Sequence, residues 1–442
     1  MTVERAGASG AMRHEGFRLF EVFGVEVEYM IVDRDSLAVR PICDLLLRDA
    51  STLKGARVVD EGEESDPEFP SEVELEGVAL SNELAAHVLE IKVPAPVRSL
   101  VGVDQVLHRG VRAANALLAQ RNCMLLPTGV HATMDPGRDL KLWPHGYRRF
   151  YETFHRIFDC RGHGWANLQA VHLNLPFRID GDTEESEFGR LHTAVRALLP
   201  IMPAIAASSP FLEGRATGLL DNRMEVYRTG ARAIPSTIGS VIPEPVFTRS
   251  CYERDVLGAM YEQLAPHDPD GVLHHEWINA RGAIARFSRS SIEVRVLDVQ
   301  ECPRMDVAVC ALVSTVLRMM TRGGLGDLAA MRALPTAGLA TILQSTIRDA
   351  SAAPIHDQAF LHALGLRRRA ATAGELWSFL ALSPEPDEAA VYYHDAIMLL
   401  LRRGPLARRM LDAIGSDTSL PAIAFQQREL ARCLASDMSY AP

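Results

Sequence analysis

Gly24-Val25-Glu26-Val27-Glu28-Tyr29-Met30-Ile31-Val32 is the stretch on which the fold turns. β-Branched and aromatic residues dominate it, and apolar and polar residues alternate, which is the pattern of a strand. Side chains on a strand alternate faces. Phe23, Val25, Val27 and Tyr29 therefore point one way, and Glu26 and Glu28 the other. Two carboxylates side by side repel each other, and on an enclosed face even one unpaired carboxylate costs several kcal/mol. A bound cation removes that cost, and hard oxygen ligands on a rigid strand suit Mg2+ or Mn2+. The plainer alternative is an edge strand with its polar face in water.

The 442 residues can make one large domain or two to three ordinary ones. A net charge of −10 argues against a non-specific nucleic-acid or anionic-membrane binder. No apolar run approaches the length of a membrane span. Residues 1–18 are polar and Gly/Ala-rich, without the apolar core of a signal peptide. They read as a flexible tail on a cytoplasmic protein. The seven cysteines are scattered, with no CxxC pair, which indicates neither a zinc site nor a disulfide framework. Buried reduced thiols are the expected state.

Along the chain, residues 60–76 are markedly acidic. Residues 60–68 read as a solvated loop. Glu72, Glu74 and Glu76 alternate with Val73 and Leu75 like another strand, and either face solvent or border a cation site. In Asn82-Glu83-Leu84-Ala85-Ala86-His87-Val88-Leu89-Glu90-Ile91-Lys92-Val93-Pro94, the two glutamates are seven apart. On a helix that is about two turns, which places both on one face. A strand–turn–strand path brings them together as well. Pro94 and Pro96 end the unit.

Periodicity predicts a helix over 101–121, a short buried strand over 123–126 and a helix over 147–158. Gln169-Ala170-Val171-His172-Leu173-Asn174-Leu175-Pro176 is an alternating strand with His172 and Asn174 on one face. An apolar helix is expected over 191–207. Ser291-Ile292-Glu293-Val294-Arg295-Val296-Leu297-Asp298 alternates again, with Glu293 and Arg295 on one face. Beyond Met305 the chain reads as helical over 306–320, 328–334, 338–350, 354–366 and 390–403, with a break at 384–386. These apolar helices either cover the sheet or form a homodimer contact.

Singly, each of these groups has an ordinary explanation. A lone His172 is a satisfied core histidine, and Glu293 with Arg295 is a surface pair worth under about 1 kcal/mol. Together, Glu26, Glu28, Glu83, Glu90, Glu293 and His172 make an oxygen-rich cluster on a sheet that can keep one face polar. Such a face can hold two or three divalent cations, and the cations a nucleoside triphosphate. Arg295 among the acids would stabilise a transferring phosphoryl group. No Walker P-loop, kinase Gly-rich loop or GxGxxG after a strand occurs. ATP would therefore be held through metals and arginines.

Gly24-Val25-Glu26-Val27-Glu28, the Glu83…Glu90-Ile91 pair, Val171-His172 and Ile292-Glu293-Val294-Arg295-Val296-Leu297-Asp298 resemble the glutamate–cysteine ligases. Ala207-Ser208-Ser209-Pro210-Phe211-Leu212-Glu213-Gly214, followed by Arg223, is similar to the carboxylate–amine ligase branch of that family. The motifs occur in the same order and run from about Phe20 to about Arg304. The resemblance implies an α+β, glutamine synthetase-like catalytic fold: a cupped antiparallel sheet with helices on its outer face and a helical C-terminal part. It implies a single catalytic domain over 19–442, with a sheet-bearing ATP and metal core over 19–304 and a mostly helical remainder over 305–442.

The same resemblance implies metal ligands at Glu26, Glu28, Glu83, Glu90, His172 and Glu293. It puts Arg295 on the ATP phosphates, makes Arg295 and Glu28 the catalytic pair, and makes Arg223 a candidate for the substrate carboxylate. Ser209 and His131 are further substrate-pocket candidates; for the segment Thr128-Gly129-Val130-His131 a plain turn is the alternative. The implied partners are small molecules, an amino-acid carboxylate and an amine, joined through an acyl phosphate with ATP and Mg2+ or Mn2+. A guanidino-kinase type of phosphotransferase and a non-catalytic nucleotide-binding relative are the alternatives. Val171-His172-Leu173-Asn174 departs from the His-x-His of many carboxylate–amine ligases, so one possible ligand is missing.

Overall fold

The computed structural model describes residues 16–59, 66–383 and 387–442. Its opening stretch is strand β1, Gly24–Asp33. The strands that follow are β2 (Arg57–Val58), β3 (Glu72–Leu75), β4 (Val78–Asn82), β5 (Val88–Lys92), β6 (Cys123–Leu126) and β7 (Ala170–Pro176). A small separate hairpin, β8 (Phe211–Leu212) and β9 (Arg215–Ala216), precedes β10 (Ala283–Arg286) and β11 (Ser291–Asp298). All but the hairpin form one nine-stranded sheet in the order β10-β11-β7-β1-β5-β4-β3-β2, with β6 beside the far end of β1. Its pairings are antiparallel.

The alternation of β1 decides which face is core. Val25, Val27, Tyr29 and Ile31 are fully buried and belong to the main apolar cluster with the helices Val103–Ala119 and Pro303–Thr321. Each such side chain contributes about 1.5–3 kcal/mol by leaving water. The Tyr29 hydroxyl donates to Asp306 Oδ2 at 3.2 Å, which ties β1 to the helix Pro303–Thr321. That helix is apolar nearly all round because it has neighbours on every side. The helix Val103–Ala119 and the helices Ala373–Leu382 and His394–Arg403 surround it. The apolar helix that begins the C-terminal third therefore covers the sheet. At the far end of β1, Met30 and Val32 lie on the opposite face and pack with Leu126, Met134 and Ala431. The polar face is thus closed by apolar packing at one end, and Glu26 and Glu28 lie beyond it.

Several elements differ from the periodicity. Residues 82–94 follow the strand–turn–strand path, with β4 and β5 joined by a turn through Glu83. The single helix expected over 191–207 is broken into Glu187–Leu198, a 3-10 turn Leu199–Ile201 and Pro203–Ala206. Pro200 and Pro203 lack the N–H that a continuous helix needs. The helix expected over 354–366 shrinks to Gln358–Ala363, capped by the Asp357 carboxylate on the Phe360 N–H, while Pro354–Ile355 pairs as β12 with β13, Ala371–Thr372. The helix over 390–403 is two, Glu388–Tyr392 and His394–Arg403. Ala373–Leu382, Leu406–Ile414 and Leu420–Ser436 have no range of their own in the periodicity, but lie within the 305–442 expected to be mostly helical. Residues 1–15 of the expected tail, most of the acidic loop (60–65) and the break at 384–386 lie outside the described residues. No helix among those described is long and apolar enough to cross a membrane.

Candidate metal and phosphate site

Residues directly opposite on antiparallel strands share a face. The register therefore lays polar side chains in rows across the sheet. One row runs Glu72 (β3), Ser81 (β4), Glu90 (β5), Glu28 (β1). The next runs Lys92 (β5), Glu26 (β1), His172 (β7). A third runs Gly24 (β1), Asn174 (β7), Glu293 (β11). Glu83 enters from the turn after β4.

Two three-residue sets result. Glu28, Glu83 and Glu90 bring ligand atoms within 4.8 Å of one another, and so do Glu26, Glu90 and His172. Glu90 belongs to both. It is 1% exposed. Its Oε1 accepts from Ser81 Oγ at 2.9 Å and Lys92 Nζ at 3.0 Å, while its Oε2 is buried with no hydrogen-bond partner. Burial works against ionising Glu90, but the neighbouring Lys92 ammonium holds its carboxyl well below the usual range. A charged, buried oxygen left without a donor is costly in the protein alone. A divalent cation between the two sets meets that need, so the donor set fits Mg2+ or Mn2+.

His172 sits among three carboxylates, 3.6 Å from Glu26, 3.9 Å from Glu28 and 3.9 Å from Glu293. The Ala170 N–H donates to Glu28 Oε2 at 2.8 Å and fixes that side chain. Asn174, two residues beyond His172 on β7, donates from Nδ2 to Glu26 Oε1 at 3.4 Å.

Glu293 is placed differently from the other expected ligands. It lies outside both three-residue sets. Its Oε2 accepts from Arg286 at 2.8 Å and its Oε1 from Arg295 at 3.0 Å. Burial opposes its charge, but the two guanidiniums, Arg295 first, hold its carboxyl far below the usual range. Desolvation pulls on Arg295 as well, and Glu293 keeps it charged. The β7–β11 register shifts between Val294 and Leu297, while on the other side the Arg295 N–H continues the β10–β11 ladder to Gly282 O at 2.9 Å. Such a bulge re-aims a side chain; here the side chain is Arg295.

The sequence profile of glutamate–cysteine ligase family 2 matches residues 22–429. The chain belongs to this family. A protein of Archaeoglobus fulgidus described as uncharacterized is 31% identical over 95% of this chain and all of its own length. A protein named "Putative glutamate–cysteine ligase 2-1" from Nocardioides sp. is 27% identical over 66% of each chain. Among solved structures, the glutamate–cysteine ligase of Francisella tularensis in complex with AMP superposes with a TM-score of 0.59 at 12% identity, over 94% of this chain and 89% of that one. That likeness is one of fold, and it agrees with the α+β class expected above.

In this family member the remaining candidates lie behind the strand end. Arg223 is buried and donates to Arg295 O at 2.8 Å and to Asp298 Oδ1 at 3.4 Å. The Ser209 hydroxyl donates to Asp298 Oδ2 at 2.8 Å and accepts from the Arg223 N–H at 3.1 Å. Both residues brace the backbone that carries Arg295. His131 uses Nε2 on Leu37 O at 2.9 Å, accepts from the Thr133 N–H on Nδ1, and is pushed down to about 4 by burial. It is a neutral core histidine that shapes the turn after β6.

Two participants were not singled out from the sequence. Arg286 stands opposite Ser291 in the β10–β11 hairpin, which places it diagonal to Glu293. The hairpin register is the signal that finds it. Lys92 lies two residues beyond Glu90 on the same face, as strand alternation alone requires. Its Nζ is 2.9 Å from Glu72 Oε2. Desolvation weakens its charge, but Glu90, Glu72 and Glu26 keep it protonated. Of the three glutamates left open, Glu72 therefore borders the site. Glu74 pairs with exposed Arg57, and Glu76 sits exposed in the β3–β4 turn.

Proposed function

We propose that this family member is an ATP-dependent ligase that activates the side-chain carboxylate of an amino acid, glutamate in the first instance, and couples it to an amine such as cysteine. The observation that carries the reading is the pair of carboxylate sets sharing Glu90, flanked by the Glu293–Arg286–Arg295 cluster. Glu28, Glu83 and Glu90 would hold one Mg2+ or Mn2+, and Glu26, Glu90 and His172 a second. Bound there, the metals supply charge neutralisation, without which ATP would repel a carboxylate.

A free carboxylate is a poor electrophile. Its oxygen attacks the γ-phosphorus of ATP, ADP departs with the electrons of the broken P–O bond, and an acyl phosphate results. An amine nitrogen then attacks the carbonyl carbon, phosphate leaves, and the nitrogen loses a proton to solvent. Arg295 would meet the transferring phosphoryl oxygens, in a site where a fixed cation stabilises developing charge without reorganisation. Glu293 and Arg286 hold it in place. Ser209, Arg223 and Asp298 hold its strand. Glu28 is kept as a metal ligand by the Ala170 N–H. Use of ATP accords with a cytoplasmic setting.

The test is ADP release from Mg-ATP and glutamate, with and without a pool of amines that includes cysteine, read together with mass spectrometry of the products. Amine-dependent ADP release with a new glutamyl amide is the expected result. ADP release that needs no amine and yields a phosphorylated guanidino compound would replace the ligase with a phosphotransferase.

A further inference from the structure

Six carboxylates face the site: Glu26, Glu28, Glu72, Glu83, Glu90 and Glu293. Among the described residues, three cationic side chains stand with them: Lys92, Arg286 and Arg295. Arg286 and Arg295 each pair with Glu293. Lys92 is not near that cluster in register; it is directly across the β1–β5 pair from Glu26. Its ammonium lies 2.9 Å from Glu72 Oε2 and 3.0 Å from Glu90 Oε1. Glu72, Glu90 and Glu26 thus surround Lys92 from β3, β5 and β1, as the two metal sets would surround a cation.

We infer that the Lys92 ammonium is a tethered cation filling a third position of the acidic face, so that this chain binds two divalent cations where the unfilled face would bind three. The inference rests on the metal–nucleotide reading above. Lys92 acts as a positioning residue. It occupies Glu90 Oε1 and so leaves Oε2, the oxygen with no hydrogen-bond partner, for the cations that share Glu90. It also neutralises Glu72, which would otherwise be drawn in as a further ligand. A metal there would offer open coordination positions to a phosphate; an ammonium offers only donors. The choice of lysine therefore limits how many cations bridge to the nucleotide.

The experiment counts Mn2+. Metal-free protein is titrated with Mn2+ in the absence of nucleotide, and the free aqua ion is followed by electron paramagnetic resonance. The wild type is expected to bind two Mn2+ per chain, one for each set. Lys92→Met, similar in length but uncharged, is expected to bind three. Lys92→Met combined with Glu72→Gln returns to two, because the third position loses a ligand. Without metal, Lys92→Met is expected to melt below the wild type, and Mn2+ to restore it. Three Mn2+ in the wild type, or two in Lys92→Met, would overturn the role of the lysine and leave the metal reading standing. No bound Mn2+ in the wild type would overturn the metal reading, and this inference with it. If Lys92→Met does not fold, Lys92→Gln is counted in its place, three Mn2+ supporting the role of the lysine and two overturning it.

Discussion

Glu28 on β1 and Glu90 on β5 stand directly opposite each other, like charges paired across two adjacent strands on one face. Such a pair is destabilising in a protein on its own. It persists here because the apolar side of β1 is locked into the core and because Glu90 serves two ligand sets at once.

Removing one charge of the pair should separate stability from function. Glu28→Gln is expected to stabilise the metal-free protein by roughly 0.2–1 kcal/mol, the size of a cross-strand pair term, and so to raise its melting temperature. The same change should remove the Mn2+ bound by Glu28, Glu83 and Glu90 and abolish turnover. Calorimetry with and without Mn2+ reads both effects. Retained turnover in this variant would remove Glu28 from the catalytic site.

Glu293→Gln should behave in the opposite way. Its carboxylate compensates two buried guanidiniums, Arg286 and Arg295. Leaving buried charge uncompensated costs about 3–5 kcal/mol. Urea unfolding should therefore show Glu293→Gln strongly destabilised where Glu28→Gln is not. Equal stability of the two variants would show that the arginines find other counter-charges.

Arg295→Lys keeps the charge and loses the planar fork, and the two side chains do not interchange at such a site. Turnover is expected to fall by about 10²- to 10³-fold, the range for loss of one oriented donor at a developing charge. ATP binding, followed by titration with a non-hydrolysable analogue, should change far less. An unchanged kcat would place the phosphoryl group elsewhere.

Gly129 is required by contact. A Cβ there would lie 2.7 Å from Asp298 Oδ2 and 2.9 Å from Ser208 Oγ. Asp298 cannot give way freely, since Ser208, Ser209 and Arg223 all bond to it. Gly129→Ala should cost about 1–3 kcal/mol, as overpacking does. It should also lower kcat, because Arg223 bridges Asp298 to the Arg295 carbonyl. Thermal melts and steady-state kinetics check the two parts, and a variant with wild-type values in both would leave the bracing role of Asp298 without support.

His192 is buried against Phe188, Phe247 and Tyr252, and neither ring nitrogen has a hydrogen-bond partner. Burial, with Arg196 and Arg281 nearby, pushes it down to about 3. The unfolded chain takes up this proton near pH 6.5 and the folded chain does not. The stability tied to the neutral ring is therefore full above about pH 6.5 and is lost as pH falls toward the folded value. His192→Phe should remove this dependence, making the drop in stability from pH 7 to pH 5 smaller by an amount on the order of 2 kcal/mol. Parallel urea titrations at the two pH values measure it.

The strands were legible where one face is apolar and the other polar. β1, β7 and β11 each show period-two alternation, and their carboxylates and His172 come together across the sheet. The segment from Glu83 to Glu90 was not decided, because seven residues fit two helical turns as well as a hairpin; the tertiary pairing of β5 with β1 settles it. Lys92 and Arg286 escape a reading by residue type, since only the register shows which acids they face. By residue type Glu293 is indistinguishable from the other glutamates of the site, and only its two arginine partners set it apart. In the C-terminal third, Leu382, Leu420 and Phe425 are exposed, so apolar residues do not mark a single buried face of their helices. Even so, Thr372-Ala373-Gly374-Glu375 is a capping box that marks the helix Ala373–Leu382.

The most direct test of the account follows the oxygen. Glutamate labelled with 18O in its γ-carboxylate is incubated with Mg-ATP and the productive amine, or with hydroxylamine as a trapping amine. Activation through an acyl phosphate predicts that one 18O from the carboxylate appears in the released phosphate, and that Glu28→Gln releases none. Phosphate released without label would contradict carboxylate activation at this site.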